Sequence, residues 1–255
     1  TVLQTSMGAG SLGMFKITDD TNTMIVIRDL QIDLSGASSG GLAGIYVSGA
    51  SGVTVERVIF TNSHGTQYQR AVVLTSSVVT TIDRIRIRNT WTGRTSIFRG
   101  SLVYARGPNP GISDIIIEGN SGNYYGPTGG GVIQVDTFMA NEIKIINNSI
   151  GLSSTTGSMI YLDLSNATGG AYDRFLIDGN RFVSNTSTDY GVNVDSTVAG
   201  KVIKYLTITN NRFDGQEYGI FADNANITIG DNVASIAGNG AVISNNYITC
   251  TGTAA

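Results

Sequence analysis

Four aspartates recur where a short apolar strand pattern ends: Asp136, Asp163 in "SMIYLD", Asp195 in "GVNVD" and Asp223 in "GIFAD". Brought to one surface, they could do several kinds of chemistry. Two carboxyl groups about 5 Å apart match the nucleophile and acid of a retaining glycosidase, and a separation of about 6.5–9.5 Å matches an inverting one. Crowded carboxylates also raise one another's pKa, as a general acid requires. A carboxylate ladder could instead hold Ca²⁺. A plainer role competes with all of these. Asp, Ser and Thr favour the residue where a strand turns, because their side chains bond to backbone N–H groups.

Such distant residues can share a surface only if the chain returns to the same place at intervals, and the sequence repeats. "ITNNRF" (208–213), "IDGNRF" (177–182) and "IINNSI" (145–150) share one pattern, with a weaker form in "IGDNVA" (229–234). The last apolar residue before each turn gives the anchors Ile27, Val55, Ile87, Ile117, Ile145, Ile177, Ile208, Ile229 and Cys250. Two residues earlier every copy is again apolar, the alternation of a strand with one face buried. Three residues later, Asn120, Asn148, Asn180, Asn211 and Asn232 fall in successive copies. Asn suits a corner: it tolerates the left-handed conformation, and its amide can bond to the Asn above and below.

A second strand follows each turn, as in "GIYVS" (44–48), "AVVLT" (71–75) and "GAVIS" (240–244). The final copies are 21 residues apart, so 21 is the expected minimal coil and longer copies carry loops. A solenoid accounts for this, with each coil laid about 4.8 Å above its predecessor in parallel. Charges test the register independently. One residue past the anchors stand Arg28, Glu56, Arg88 and Glu118, alternating in sign, while Arg84 faces Asp114 and Glu142 faces Arg174. Opposite charges across strands are mildly stabilising, so "DRIRIRN" (83–89) reads as ladder partners and not as a basic patch. In this register the aspartates extend a column of Ser48, Thr75, Ala105, Asp136, Asp163, Asp195, Asp223 and Ser244.

The corners and "TVLQTSMGAGSLGMFKIT" (1–18) resemble the right-handed parallel β-helix of the pectate-lyase-like superfamily, and within it the bodies of bacteriophage tailspikes. The resemblance covers nearly the whole chain, and residues 1–255 are expected to form a single β-helix domain. It implies an all-β fold: a single right-handed parallel β-helix of about nine to ten coils with Asn-containing corners. It does not carry a catalytic motif across. "SHG" (63–65) and "EIK" (142–144) stand in the wrong relation for a polygalacturonase, and the only histidine, His64, reads as a loop residue. Family members usually begin with a capping helix, which is missing here. Both ends therefore read as open, as in a segment of a longer chain or a subunit capped by partners.

Charged residues make up 14% of the chain and the net charge is −3, with no Lys/Arg block, so nucleic acid is not an expected partner. No apolar run of about 18 residues appears, so no membrane span is expected. The one cysteine, Cys250, excludes an internal disulfide framework. No cofactor is expected apart from the Ca²⁺ alternative. The extra residues of the longer coils lie between the first and second strands. Stacked together, they would wall a groove bearing Tyr68, Arg70, Arg94, Tyr124, Tyr125 and Tyr190. Tyrosine beside polar loops suits a sugar, whose apolar face stacks on a ring while its hydroxyls find hydrogen bonds. The expected function is therefore a tailspike-like extracellular or virion-surface protein. It would bind a polysaccharide and could cleave it through a pair from the aspartate column, as a homotrimer or by end-to-end self-association. The rivals are a non-enzymatic structural or adhesive solenoid and a free secreted polysaccharide lyase or hydrolase.

Overall fold

Apolar residues at every second position stack on their counterparts one repeat later, and each repeat becomes one rung. The computed structural model describes residues 2–4, 13–18, 24–34, 43–61, 69–76, 81–92, 97–107, 111–125, 130–153, 157–167, 172–184, 189–222, 227–229 and 240–250. Among these residues there is no helix, and every strand pairing is parallel. The fold is a parallel β-solenoid. Ile27, Val55, Ile87, Ile117, Ile145, Ile177 and Ile208 are successive partners, as the spacing predicts. From Val55 to Ile208 this column has at most 1% of its surface exposed, so it forms the spine of the core.

Each coil has three faces, not the two expected. The first carries the anchors, in strands such as Ile85–Arg88 and Phe175 to Asp178 within Tyr172–Asp178. The second follows the Asn corner: Trp91–Thr92, Ser121–Tyr125, Ser149–Leu152, Arg181–Ser184 and Arg212–Gln216 stack in that order. The third holds the long strands Phe98–Gly107, Gly131–Thr137, Ser158–Asp163 and Tyr190–Asp195, the last three of which carry Asp136, Asp163 and Asp195 at or beside their ends. The second face lies in stretches that read as loops, and the apolar residue closing each corner motif is its inward member. Ile150, Phe182 and Phe213 are consecutive partners there and fully buried or nearly so, with the two phenylalanine rings stacked at 5.5 Å.

The corner is built by two adjacent residues with different tasks. Left-handed backbone falls on Asn89, Gly119, Asn147, Gly179 and Asn210, at φ between 52° and 64°. The ladder asparagines come one residue later, so it is the preceding residue, not the ladder Asn, that takes the left-handed conformation. Asn148 Oδ1 accepts from the Asn120 N–H at 3.0 Å and from its amide at 2.9 Å, and Asn180 and Asn211 repeat the pattern. These amides are at most 1% exposed, and each also donates to a carbonyl of the preceding coil.

From Asn211 the ladder continues to Asn246; Asn232 lies outside the described residues. Ile208 partners Ile243, and Phe213 partners Ile248. The two final 21-residue coils are thus one longer coil, and "GAVIS" belongs to the first face. Among the described residues, the coils that carry all three faces run from the one at 25–48 to the one at 201–222, fewer than the nine to ten expected. Outside, Arg28, Glu56, Arg88 and Glu118 are consecutive partners, with Arg88 3.4 Å from Glu56 and Arg174 3.3 Å from Glu142. Asp114 takes Arg86 at 2.9 Å instead of Arg84.

Candidate functional site

The outer surface of the third face gathers most of the candidate chemistry. Asp163 and Asp195 are direct partners, and Asp136 follows Val135, the partner of Leu162, so three carboxylates share one column. Asp223 lies outside the described residues. Two members of the expected column are corrected. The partner of Thr75, and then of Asp136, is Arg106; Ala105 points into the core. Ser244 sits on the first face beside Thr209.

Two residues before this column stands another outward one: Tyr46, Val73, Tyr104, Gln134, Tyr161, Asn193 and Phe221 are consecutive partners. A long side chain reaches its diagonal neighbour, two residues along on the next rung. Tyr104 donates to Asp136 Oδ2 at 3.4 Å, and Tyr161 donates to Asp195 Oδ2 at 3.1 Å by the same step. Asp136 also accepts from the Asn166 amide at 2.7 Å. Asp163 has a different partner, the backbone N–H of Ser165 at 2.9 Å, which closes a turn with its own side chain.

The electrostatics follow from this packing. Burial, then the charges of Asp163 and Asp195, push the Tyr161 phenol far above its ordinary value, and burial followed by Asp136 raises that of Tyr104. Both remain neutral donors at physiological pH. Arg70 lies over the Tyr104 ring, 4.2 Å from its centroid, and its burial lowers its pKa. Arg106 approaches the same ring at 5.7 Å. A cleft of about 560 Å³ opens here, lined by Tyr104, Arg106, Asp136, Phe138, Ser165 and Asn166. Behind it, the fully buried Tyr172 donates to the Asp163 carbonyl at 2.8 Å and accepts from the Thr137 N–H at 3.0 Å. One interior hydroxyl thus fixes the strand ends from which Asp136 and Asp163 project.

The expected substrate-binding residues separate. Arg70 joins the aspartate column through Tyr104, a residue the sequence reading passed over. Tyr190 stacks on Tyr218 with centroids 5.5 Å apart, and both rings meet Phe221, giving an aromatic cluster at the C-terminal end of the same face. Tyr124 is corrected: it is fully buried against Phe98 and belongs to the core. The unseen second face turns it inward. Tyr125 is half-buried beneath Arg99, five residues before Tyr104 along the strand. Tyr68, Arg94 and His64 lie outside the described residues. The sequence held one missed signal: an aromatic two residues before a strand-end polar residue, in "VYAR" and "IYLD".

Among the described residues, no group of three or more His, Cys, Asp or Glu side chains converges as a metal site, and no helix is long and apolar enough to cross a membrane. Compared with known protein families, with curated proteins and with solved structures, the chain matches none of them. The fold and the site therefore define a parallel β-solenoid with an aromatic and carboxylate-bearing flank.

Proposed function

We propose that the protein is an extracellular or virion-surface solenoid that binds a polysaccharide along its third face, in the manner of a tailspike body. The observation that carries this reading is the repeated Tyr–Asp diagonal, Tyr104 to Asp136 and Tyr161 to Asp195, continued by the stacked Tyr190 and Tyr218. Rings offer a sugar its apolar contact, and the carboxylates and phenols hydrogen-bond its hydroxyls. Rungs repeat about every 4.8 Å, so the same contact recurs along the axis, as a polymer of repeating sugars requires. Glycosidase carboxyls flank the bond they cleave. Here the carboxylates leave one sheet in one direction, which suits contact along a chain better than enclosure of a single bond. A rigid solenoid without a ligand is the second reading, favoured by Asp163, whose carboxylate closes its own turn.

A panel of bacterial capsular and O-antigen polysaccharides separates these readings. At least one polymer should be retained. Tyr218→Ala, which removes a ring 40% exposed, should weaken retention about fivefold, for a contact of about 1 kcal/mol. Retention by the parent and the variant alike would remove the third face as the site, and no retention at all would leave the ligand-free solenoid. New reducing ends formed by the parent but not by an Asp163→Asn, Asp195→Asn double variant would make the column catalytic. Sedimentation in the same buffers distinguishes a homotrimer from end-to-end association.

A further inference from the structure

We infer that the outer surface of the second face is a separate binding site for a carboxylate-bearing oligosaccharide lying along the solenoid axis. A trough of about 720 Å³ crosses four rungs there. One outward column gives its length: Trp91 partners Ser121, Ser121 partners Ser149, and Ser149 partners Arg181. Asn123, Gly151 and Val183 form the column beside it. A Cβ on Gly151 would collide with the Asn123 amide oxygen, so glycine there keeps the floor low.

The chemistry changes from end to end. Trp91 supplies an aromatic wall, Ser121, Asn123 and Ser149 an exposed hydrogen-bonding floor, and Arg181 a cation. Serine hydroxyls and the Asn amide both donate and accept, as sugar hydroxyls demand. Among the described residues Arg181 forms no ion pair, whereas the next arginine in its column, Arg212, is held by Asp214 at 2.6 Å. Two guanidiniums against one carboxylate leave this end with one positive charge. That is too little for a polyanion such as nucleic acid, which is bound through many phosphate contacts, and it suits one carboxylate. Trp91 and Arg181 are three rungs apart, about 14 Å at about 4.8 Å per rung. One rung is close to the advance of one pyranose in an extended chain, so a run of three sugars reaches from the ring to the guanidinium.

Trp91 is the only tryptophan in the chain, so its fluorescence reports the trough directly. The probes are trigalacturonate, trimannuronate and a sialic acid trimer, with maltotriose as the neutral comparison. At least one acidic trimer should shift the emission saturably, and added salt should weaken it. Arg181→Gln should weaken it about tenfold, the loss of one charge-assisted hydrogen bond. Arg181 is exposed, and an unchanged circular dichroism spectrum verifies the variant's fold. Tyr218→Ala on the other face should leave the signal as it is, so this site and the polysaccharide flank succeed or fail separately. The inference is overturned if no acidic trimer gives a saturable shift, if Arg181→Gln binds as tightly as the parent, or if maltotriose matches the acids.

Discussion

Asn148 uses its whole side-chain amide. Its oxygen accepts two hydrogen bonds from Asn120, and its nitrogen donates to the Ile117 carbonyl at 3.0 Å and to Asn180 Oδ1 at 2.9 Å. At 1% exposure, water cannot replace these partners. Each buried group left unpaired costs roughly 1–3 kcal/mol. Asn148→Ala orphans the Asn120 N–H and the Ile117 carbonyl, so a loss of about 3 kcal/mol is expected, read as a lower urea midpoint. Asn148→Asp retains the acceptors but has no donor when ionised, and it sets a buried charge against two oxygens. It should be at least as damaging at neutral pH and regain part of the loss in mild acid, where the carboxyl carries a proton. An Asp variant as stable as the parent would mean that the ladder contributes shape and not hydrogen bonding.

At the level of the corner, the left-handed positions alternate Asn89, Gly119, Asn147, Gly179, Asn210, and the packing gives the reason. A Cβ on Gly119 would lie 2.7 Å from Asn89 Oδ1, and one on Gly179 2.6 Å from Asn147 Oδ1. Asn89 and Asn147 each lean over the next rung and occupy the space the glycine there leaves open, while the Asn210 amide turns back to Asp178. Gly179→Ala therefore meets both the left-handed backbone, about 1–2 kcal/mol for a residue with a Cβ, and a clash. Asn147→Gly in the same chain removes only the clash. The double variant should recover about half of the loss, measured as a non-additive double-mutant cycle. Strict additivity would place the whole cost in the backbone. The alternation stands in the sequence, but its meaning does not, because it depends on which neighbour each side chain leans toward. The same holds for the Tyr–Asp diagonals.

Across the whole molecule, the tyrosines link folding to alkaline pH. Burial first of all holds Tyr104, Tyr124, Tyr161, Tyr172 and Tyr190 above the ordinary value of 10.0. A folded pKa above the unfolded one stabilises fully below the unfolded value, and that contribution is lost as pH rises past it. Stability should thus be insensitive to these groups up to about pH 10 and fall steeply beyond. In a tyrosinate absorbance titration, Tyr124 and Tyr172, which are fully buried, should ionise only with unfolding. A single reversible step for both of them, with the fold retained, would contradict the packing around Tyr124 and Tyr172.

The solenoid, the anchor column from Ile27 to Ile208, the Asn ladder from Asn120 to Asn211 and the alternating outward charges are all legible in the order of the residues alone. In a parallel stack like lies over like, so each column is written as a periodic repeat. What joins unlike columns or unlike coils emerges only in the folded chain. The cross-section has three faces because each chain bends again at its corner, and that bend buries Tyr124 and creates the trough from Trp91 to Arg181. The final coil closes at Ile243 and not at Ile229, since a loop of any length can precede a rung while the rung's partner is fixed by core packing. Tyr104 reaches Asp136 because a diagonal contact depends on side-chain length and on the rung above, which no period records.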